Sequence, residues 1–499
     1  MSTTSSYHHE ALFPHPVEEV AGYYQHPGTV QRLTPDWAGV VVREPHGLAR
    51  GQRTELLCGP PWLPSLGSAE PRIRWVAEHT EHTPGEGFVD EMLTGPLRSW
   101  RHRHSFLATE DGRSSSPGIG ASSRVRDAVE AELPLLGALS GDLPRNLPGW
   151  AGPRRFVEAR FQAQLRRMFD FRTRQTAADL EFHRFLRSLD AGERPKTVVI
   201  SGASGLVGTS LSALLRSGGH EVIALTRTPS DQQIPGVRTV EWDPASGRLD
   251  AEELIGAHSV INLAGASIMG RFTQKHRERI LKSRLDSTST LVRALADVAD
   301  RGGPSVLVSA SASGFYGQDA GEVTESSPSG EGFLASVCRA WEQAAQEASH
   351  HGIRVVTVRT GLVLSARGGL LNAQLPLYLA GGGGPLGGGR MWLPWISLED
   401  LIRVFSFAAL NPQISGAVNA AAPHPVRQSE FVRTLGRLLH RPAIIPTPAA
   451  APAALLGRQG AQELALASVR MVPDFLQEAG FPFRHEHLHQ ALRHTLGRE

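Results

Sequence analysis

The stretch Thr197-Val198-Val199-Ile200-Ser201-Gly202-Ala203-Ser204-Gly205-Leu206-Val207-Gly208 decides the fold. An apolar run meets three glycines spaced three apart, and Thr209 to Leu215 then reads as a helix. In a strand–turn–helix unit each glycine has a separate task. Gly202 permits the tight turn, Gly205 lets the backbone approach a pyrophosphate, and Gly208 lets the helix pack closely on the strand. The helix start supplies N–H donors and a favourable dipole for an anion. A second apolar run, Glu221 to Thr226, ends about 20 residues later, as a dinucleotide fingerprint requires. Arg227 follows it. An acidic side chain there would hold a ribose 2′-hydroxyl, whereas arginine suits a 2′-phosphate. The cofactor expected is therefore NADP in preference to NAD, with Asp231 keeping NAD open. Asp243, in Trp242-Asp243-Pro244, either closes a third strand where side chains can reach an adenine ring or belongs to a surface turn.

Working outward, Arg194-Pro195-Lys196 reads as a linker. Beyond it, Thr197–Ser201, Glu221–Thr226, Ser259–Leu263, Ser305–Ser309 and Val355–Arg359 alternate with helical stretches. That rhythm predicts an α/β, doubly wound parallel sheet. Before the linker the texture is strands, then one long helix. Ile73, Trp75 and Ala77 share one strand face, and His102 and His104 share another with Trp100 and Phe106. Those histidines either line a cavity or face solvent. Val125, Asp127, Val129, Ala131 and Leu133 continue the alternation, and Asp111 to Ser123 reads as a hairpin tip. Val157, Phe161, Leu165 and Met168 mark a helix from near Pro153 toward Leu189, either continuous or with a break. A third texture, Ala/Leu-rich and helical, starts after Ile444. The expected domains are 1–190, 197–445 and 446–499.

Bulk numbers narrow the classes. At roughly 100–200 residues per domain, 499 residues suggest two to four domains. A net charge of +2 gives no global field for nucleic acid or an anionic membrane. The seven arginines between Arg154 and Arg174 read as one solvated helix face, and His485, His487 and His489 as an exposed helix without metal. Cys58 and Cys338 make no disulfide framework. The start lacks a basic, then apolar, leader, and no run reaches the ~18 apolar residues of a span. A cytoplasmic protein is expected. Only three lysines occur, Lys196, Lys275 and Lys282, so a YxxxK active site is impossible after residue 282.

Six motifs resemble the extended short-chain dehydrogenase/reductase superfamily and, more narrowly, its atypical epimerase family, the cell-division-inhibitor-like or sugar-nucleotide-epimerase-like proteins. They are Gly202–Gly208, Asn262–Ala266, Ser309–Gly317, Phe333–Glu342, Arg359–Leu364 and Trp395–Asp400. Val472 to Phe481 resembles that family's C-terminal helical module. The resemblance implies cofactor contacts from Gly202, Ala203, Ser204, Gly205, Leu206 and Val207, from Arg227 and Asp243, from Leu263, Ala264 and Gly265, and from Arg271 and Leu362. Residues 1–190 resemble the START-like (SRPBCC, polyketide-cyclase-like) helix-grip domains through Phe13–Glu19, Phe88–Met92 and Gly95–His102, which implies an α+β fold enclosing an apolar ligand.

The superfamily pairs a Tyr acid/base with a Lys four residues on. Aligning Glu342 with the usual Glu puts Leu334 and Cys338 at those places, and neither can serve. Tyr316 and Ser311 are the remaining catalytic candidates, with Ser309 and Ser313 beside them. Cys338 reads as an inert buried thiol, and Gly381–Gly384 with Trp392 and Trp395 as a lid or a plain surface loop. Two functions stay open. One is an NADP-dependent oxidoreductase or epimerase-type enzyme on a small molecule, the favoured reading. The other is a non-enzymatic, cell-division-linked sensor of NADP and an apolar ligand.

Overall fold

The computed structural model describes residues 4–59, 72–109, 122–133, 151–189, 195–228, 236–448 and 450–498. Asp231 and most of the 111–123 hairpin tip lie outside the described residues. The chain divides into two compact units, 1–184 and, apart from the turn 216–219, 185–498.

The first unit is an antiparallel sheet with one long helix. Its strands are β1 (Thr4–Phe13), β2 (Gly39–Arg43), β3 (Arg53–Cys58), β4 (Ile73–Thr83), β5 (Gly87–Thr94), β6 (Ser99–Ala108) and β7 (Ser123–Glu132). They stand in the order β1-β7-β6-β5-β4-β3-β2. Helices α1 (Val17–Gln25) and α2 (Thr29–Arg32) fill the β1–β2 connection, and α3 (Ala151–Leu189) follows the sheet. The period-two pattern sets the register, so Val125, Asp127, Val129 and Ala131 all point inward from β7. No glycine or proline interrupts α3 after Pro153, and it runs unbroken for 39 residues. Its Phe161, Leu165 and Phe169 pack on Tyr7, Trp100 and Val129. Asp179, an acidic group of α3, is buried against Arg32 at 2.8 Å.

The second unit is built on an eight-stranded sheet. Strands β8 (Thr197–Ser201), β9 (Glu221–Thr226), β10 (Arg238–Asp243), β11 (Arg248–Leu249), β12 (Ser259–Asn262), β13 (Val306–Ala312), β15 (Arg354–Thr360) and β19 (Gly416–Ala420) stand in the order β11-β10-β9-β8-β12-β13-β15-β19. All neighbours are parallel except the β10–β11 hairpin. Short strands form pairs beside it: β14 (Asp319–Val323) with β21 (Ser468–Met471), β16 (Leu362–Leu364) with β18 (Trp395–Ser397), and β17 (Trp392–Leu393) with β20 (Val426–Arg427). The helices are α4 (Leu206–Ser217), α5 (Gln274–Val298), α6 (Phe333–Gln346), α7 (Gly369–Leu379), α8 (Leu398–Leu410), α9 (Gln428–Leu439), α10 (Ala450–Gly460), α11 (Asp474–Glu478) and α12 (Leu488–Leu496). Leu291, Leu295 and Val298 of α5 seal one sheet face against Val260 and Leu307. Strand order reverses between β8 and β12, so their C-terminal ends flank the switch point at which open α/β sheets bind ligands.

Two expectations for this unit are corrected. His485 is not on an exposed helix: it precedes α12, is buried, and its Nδ1 lies 3.1 Å from Ser397 Oγ. Its backbone N–H and that of Arg484 both donate to buried Asp400, which turns the tail back onto the start of α8. Trp395 is no part of a lid; it is wholly buried and donates to the His424 carbonyl. Trp392 is half-buried, with the Arg427 guanidinium 3.8 Å over its ring. Among the described residues no helix is long and apolar enough to cross a membrane.

Candidate functional site

The site is assembled at the switch point. Gly202 has φ +71°, and a β-carbon there would come within 3.0 Å of the Leu263 carbonyl. The turn after β8 therefore runs hard against the chain leaving β12. A β-carbon on Gly208 would fall 2.3 Å from Gly202 O and 2.6 Å from Ala203 Cα. The first turn of α4 thus lies directly on the β8 turn, with Ser204 and Gly205 exposed at its tip and Leu206 and Val207 half-buried. Ser201 fixes the neighbouring segment: its hydroxyl donates to Asn262 Oδ1 at 2.7 Å and accepts from the N–H groups of Leu263 and Ala264. Asn262 in turn donates to Thr288 of α5.

The other expected cofactor residues spread along the same strand ends. Arg227 follows β9, is exposed, and has no ion-pair partner among the described residues. Asp243 ends β10 and is drawn inward to its own turn, accepting from Ser246 Oγ at 2.6 Å and from the Ala245 N–H. The Ser246 hydroxyl holds its carboxyl below the usual range. Leu263 and Ala264 are half-buried and Gly265 is exposed after β12, Arg271 is exposed before α5, and Leu362 opens β16. The glycine cradle, the free start of α4 and the exposed Arg227 fit a dinucleotide with a phosphorylated adenosine ribose.

The catalytic candidates have a different setting. Ser311 is buried and donates to Glu342 Oε1 at 2.6 Å. Arg359 donates to both oxygens of that carboxylate, at 3.0 and 2.9 Å. Its Nη1 donates to the Tyr316 hydroxyl at 3.0 Å, and that hydroxyl faces Asn419 Oδ1 at 2.6 Å and the Thr324 carbonyl at 3.0 Å. Asn419 Nδ2 closes the chain on the Val472 carbonyl. Burial raises the phenol's pKa, so Tyr316 is neutral, 2% exposed, and its one proton is committed. These residues clamp β13, β15, β19 and α6 together, so the Tyr316 hydroxyl, expected as an acid/base, and the Ser311 hydroxyl, expected to orient the substrate, are both engaged by protein groups. Ser309 is fully buried beside them. Leu334 is buried, and burial pushes the Cys338 thiol up to about 11, which leaves it unreactive.

Two residues that sequence reasoning passed over now matter. Arg284 of α5 lies beside Gly265, where a β-carbon would meet its Cζ at 3.4 Å. Its Nη1 donates to the carbonyls of Ala266 and Ile280, its charge reaches Cys338, and desolvation lowers its pKa. A cation with no ion-pair partner among the described residues thus sits next to the place of the missing lysine. Glu463 accepts from the N–H groups of Phe333 and Leu334, capping α6 in the absence of a local cap at Gly332. Neither has a local signal: Arg284 is one of many arginines, and Glu463 acts 130 positions from its helix.

Comparison with known proteins adds relatives. Residues 198–421 match the NAD dependent epimerase/dehydratase family, and residues 447–495 match a domain of unknown function, DUF1731. An epimerase family protein of Mycobacterium bovis is 38% identical over 304 residues, 60% of this chain and 98% of that protein. The epimerase family protein YfhF of Bacillus subtilis is 34% identical over 298 residues, 59% of this chain and 96% of its own. Among solved structures, the nucleoside-diphosphate sugar epimerase from Corynebacterium glutamicum aligns with 100% of this chain and 91% of its own, at 33% identity and TM-score 0.74. The human epimerase family protein SDR39U1 (isoform 2), solved with NADPH, aligns with 60% of this chain and 99% of its own, at 30% identity and TM-score 0.54.

Proposed function

This chain belongs to the NAD-dependent epimerase/dehydratase family, and from that premise we propose that it binds NADPH along the C-terminal edge of its parallel sheet and is an oxidoreductase or epimerase-type enzyme on a small molecule. The observation that carries the reading is the exposed Arg227 just after β9, without an ion-pair partner among the described residues and suited to a 2′-phosphate, beside an intact Gly202–Gly208 cradle. The human relative's NADPH supports it. In this reading Gly202 to Val207 hold the pyrophosphate, Asp243 borders the adenosine, and Leu263, Ala264, Gly265, Arg271 and Leu362 flank the remainder. The bound nucleotide supplies hydride chemistry. Arg284 supplies the positive charge near its ribose that a lysine gives elsewhere, and the Ser311–Glu342–Arg359–Tyr316 clamp keeps the strand ends in place. With the Tyr316 proton engaged by Asn419 and Thr324, a proton required by the reaction comes from water or the substrate in this reading. The first unit is read as a START-like helix-grip domain. Its cavity of about 200 Å³, walled by Leu33, Leu56, Trp75, Leu97 and Leu165, takes an apolar ligand.

The commitment of the Tyr316 proton favours one rival, a non-enzymatic NADPH sensor. Incubating the protein and NADPH with a panel that includes nucleoside-diphosphate sugars, and following product by mass spectrometry, separates them. The enzyme reading expects turnover that survives Tyr316→Phe and falls at least tenfold in Arg284→Ala. NADPH binding without turnover across the panel supports the sensor.

A further inference from the structure

The first unit carries a buried cluster that the cofactor site does not use. Asp90 on β5, His102 and His104 on β6 and Asp127 on β7 occupy adjoining strands, with Asp90 opposite His102 and His104 opposite Asp127. His102 Nδ1 lies 3.1 Å from Asp90 Oδ2, and its Nε2 lies 3.0 Å from Asp127 Oδ1. His104 Nδ1 is 2.7 Å from the same Asp127 oxygen. One carboxylate thus faces a nitrogen of each imidazole, which leaves His102 Nδ1 and His104 Nε2 on the other side. Asp90 Oδ1 accepts from Trp100 Nε1 at 3.2 Å, so its Oδ2 is the oxygen left to them.

We propose that Asp90, His102 and His104 bind a divalent first-row transition-metal ion, of the zinc or ferrous class, at the inner wall of the first unit's cavity. Ligand atoms from all three side chains lie within 4.8 Å of one another. Two ligands with bonds of about 2.1 Å and a 3.1 Å separation subtend about 95° at a shared ion, a normal angle. Asp127 is the outer partner that metal-bound histidines require: it is hydrogen-bonded to His102 Nε2 and its carboxylate lies 2.7 Å from His104 Nδ1. The charges also close. Two carboxylates, Asp127 buried and Asp90 half-buried, carry −2 with neutral imidazoles, and a divalent ion cancels it, where burial of uncompensated charge is costly. Two nitrogens and one carboxylate oxygen suit a transition ion over calcium or magnesium, which prefer oxygen shells.

A second observation points to something further being held there. His79 stands opposite Asp90 on β4, lines the cavity, is 5% exposed, and its Nδ1 has no hydrogen-bond partner among the described residues. His104 also lines the cavity, so the ion's remaining positions open onto apolar walls, as they do at sites where a metal meets a ligand.

The full-length protein, stripped with a chelator and reloaded with Zn²⁺ or Co²⁺, tests the inference through metal content after gel filtration and the visible spectrum of the Co²⁺ form. One equivalent per chain is expected, with Co²⁺ bands of a nitrogen–oxygen site. Asp90→Asn with His104→Ala should lower the content at least tenfold, and Asp127→Asn should weaken affinity about 10–100-fold. A second, exposed trio, His424, Glu486 and His487, is the competing site, and His424→Ala with His487→Ala should leave the one equivalent intact. Wild-type protein that retains under a tenth of an equivalent would overturn the proposal and leave the cluster a metal-free ion-pair network. So would loss of the metal with the exposed trio. If the double variant fails to fold, the wild-type stoichiometry and the exposed-trio variant still decide.

Discussion

The dinucleotide edge of the second unit and the His–Asp cluster of the first are both sites, built on opposite plans. The edge depends on backbone: three glycines within seven residues, whose missing β-carbons let β8, α4 and the β12 exit converge. The cluster depends on side chains, brought from three strands by antiparallel register. The difference teaches where each site is vulnerable. A backbone site fails when one atom is added, and a side-chain site fails when one charge is removed.

Gly208→Val presses hardest on that contrast. Its β-carbon has only Gly202 O and Ala203 Cα to enter, both backbone, so the second unit should lose more than about 3 kcal/mol along with NADPH binding. Denaturant unfolding and cofactor titration check it, and near-wild-type stability would break the backbone half of the comparison. Glu342→Ala tests the charge half within the same unit. It strands Arg359 under the sheet edge and should cost about 3–5 kcal/mol, with Glu342→Ala/Arg359→Met recovering part of the loss. A cost under about 1 kcal/mol would contradict the clamp.

Asp400→Asn is smaller and has a pH signature. Burial pushes this carboxyl up, but His485, Arg403 and Ser397 outweigh it, so its folded pKa lies below the ordinary 3.8. A depressed acid stabilises fully above its unfolded value and loses that contribution as pH falls through its folded value. The variant should therefore be less stable than wild type by about 1.5–3 kcal/mol at neutral pH, with the gap closing below about pH 4. A gap that widens in acid would reverse the assignment.

The same contrast explains what could be read from the chain alone. The parallel sheet was legible because each β–α unit announces itself locally, down to the bounds Thr197–Ser201 and Glu221–Thr226. The extent of α3, from near Pro153 toward Leu189, was legible for the same reason, while its continuity was left open and the structure supplies it. His102 and His104 could be placed on one face, yet their partners were hidden, because register with Asp90 and Asp127 depends on turns outside the local pattern. The partners of Tyr316 were hidden as well. Its exposed-looking Gly-Phe-Tyr-Gly turn gives no sign that Arg359, Asn419 and the tail at Val472 close over it. His485 misled in the same way: alternating histidines suggest a surface, while Asp400, far away in sequence, makes that segment core.

The central claim is that Arg227 and the glycine cradle select NADPH. Isothermal titration of the wild type and Arg227→Asp with NADPH and NADH tests it directly. The account predicts NADPH binding at least tenfold tighter than NADH in the wild type, and a preference reduced or reversed in Arg227→Asp with the folded state unchanged. Equal affinities in the wild type, or an unaltered preference in the variant, would contradict it.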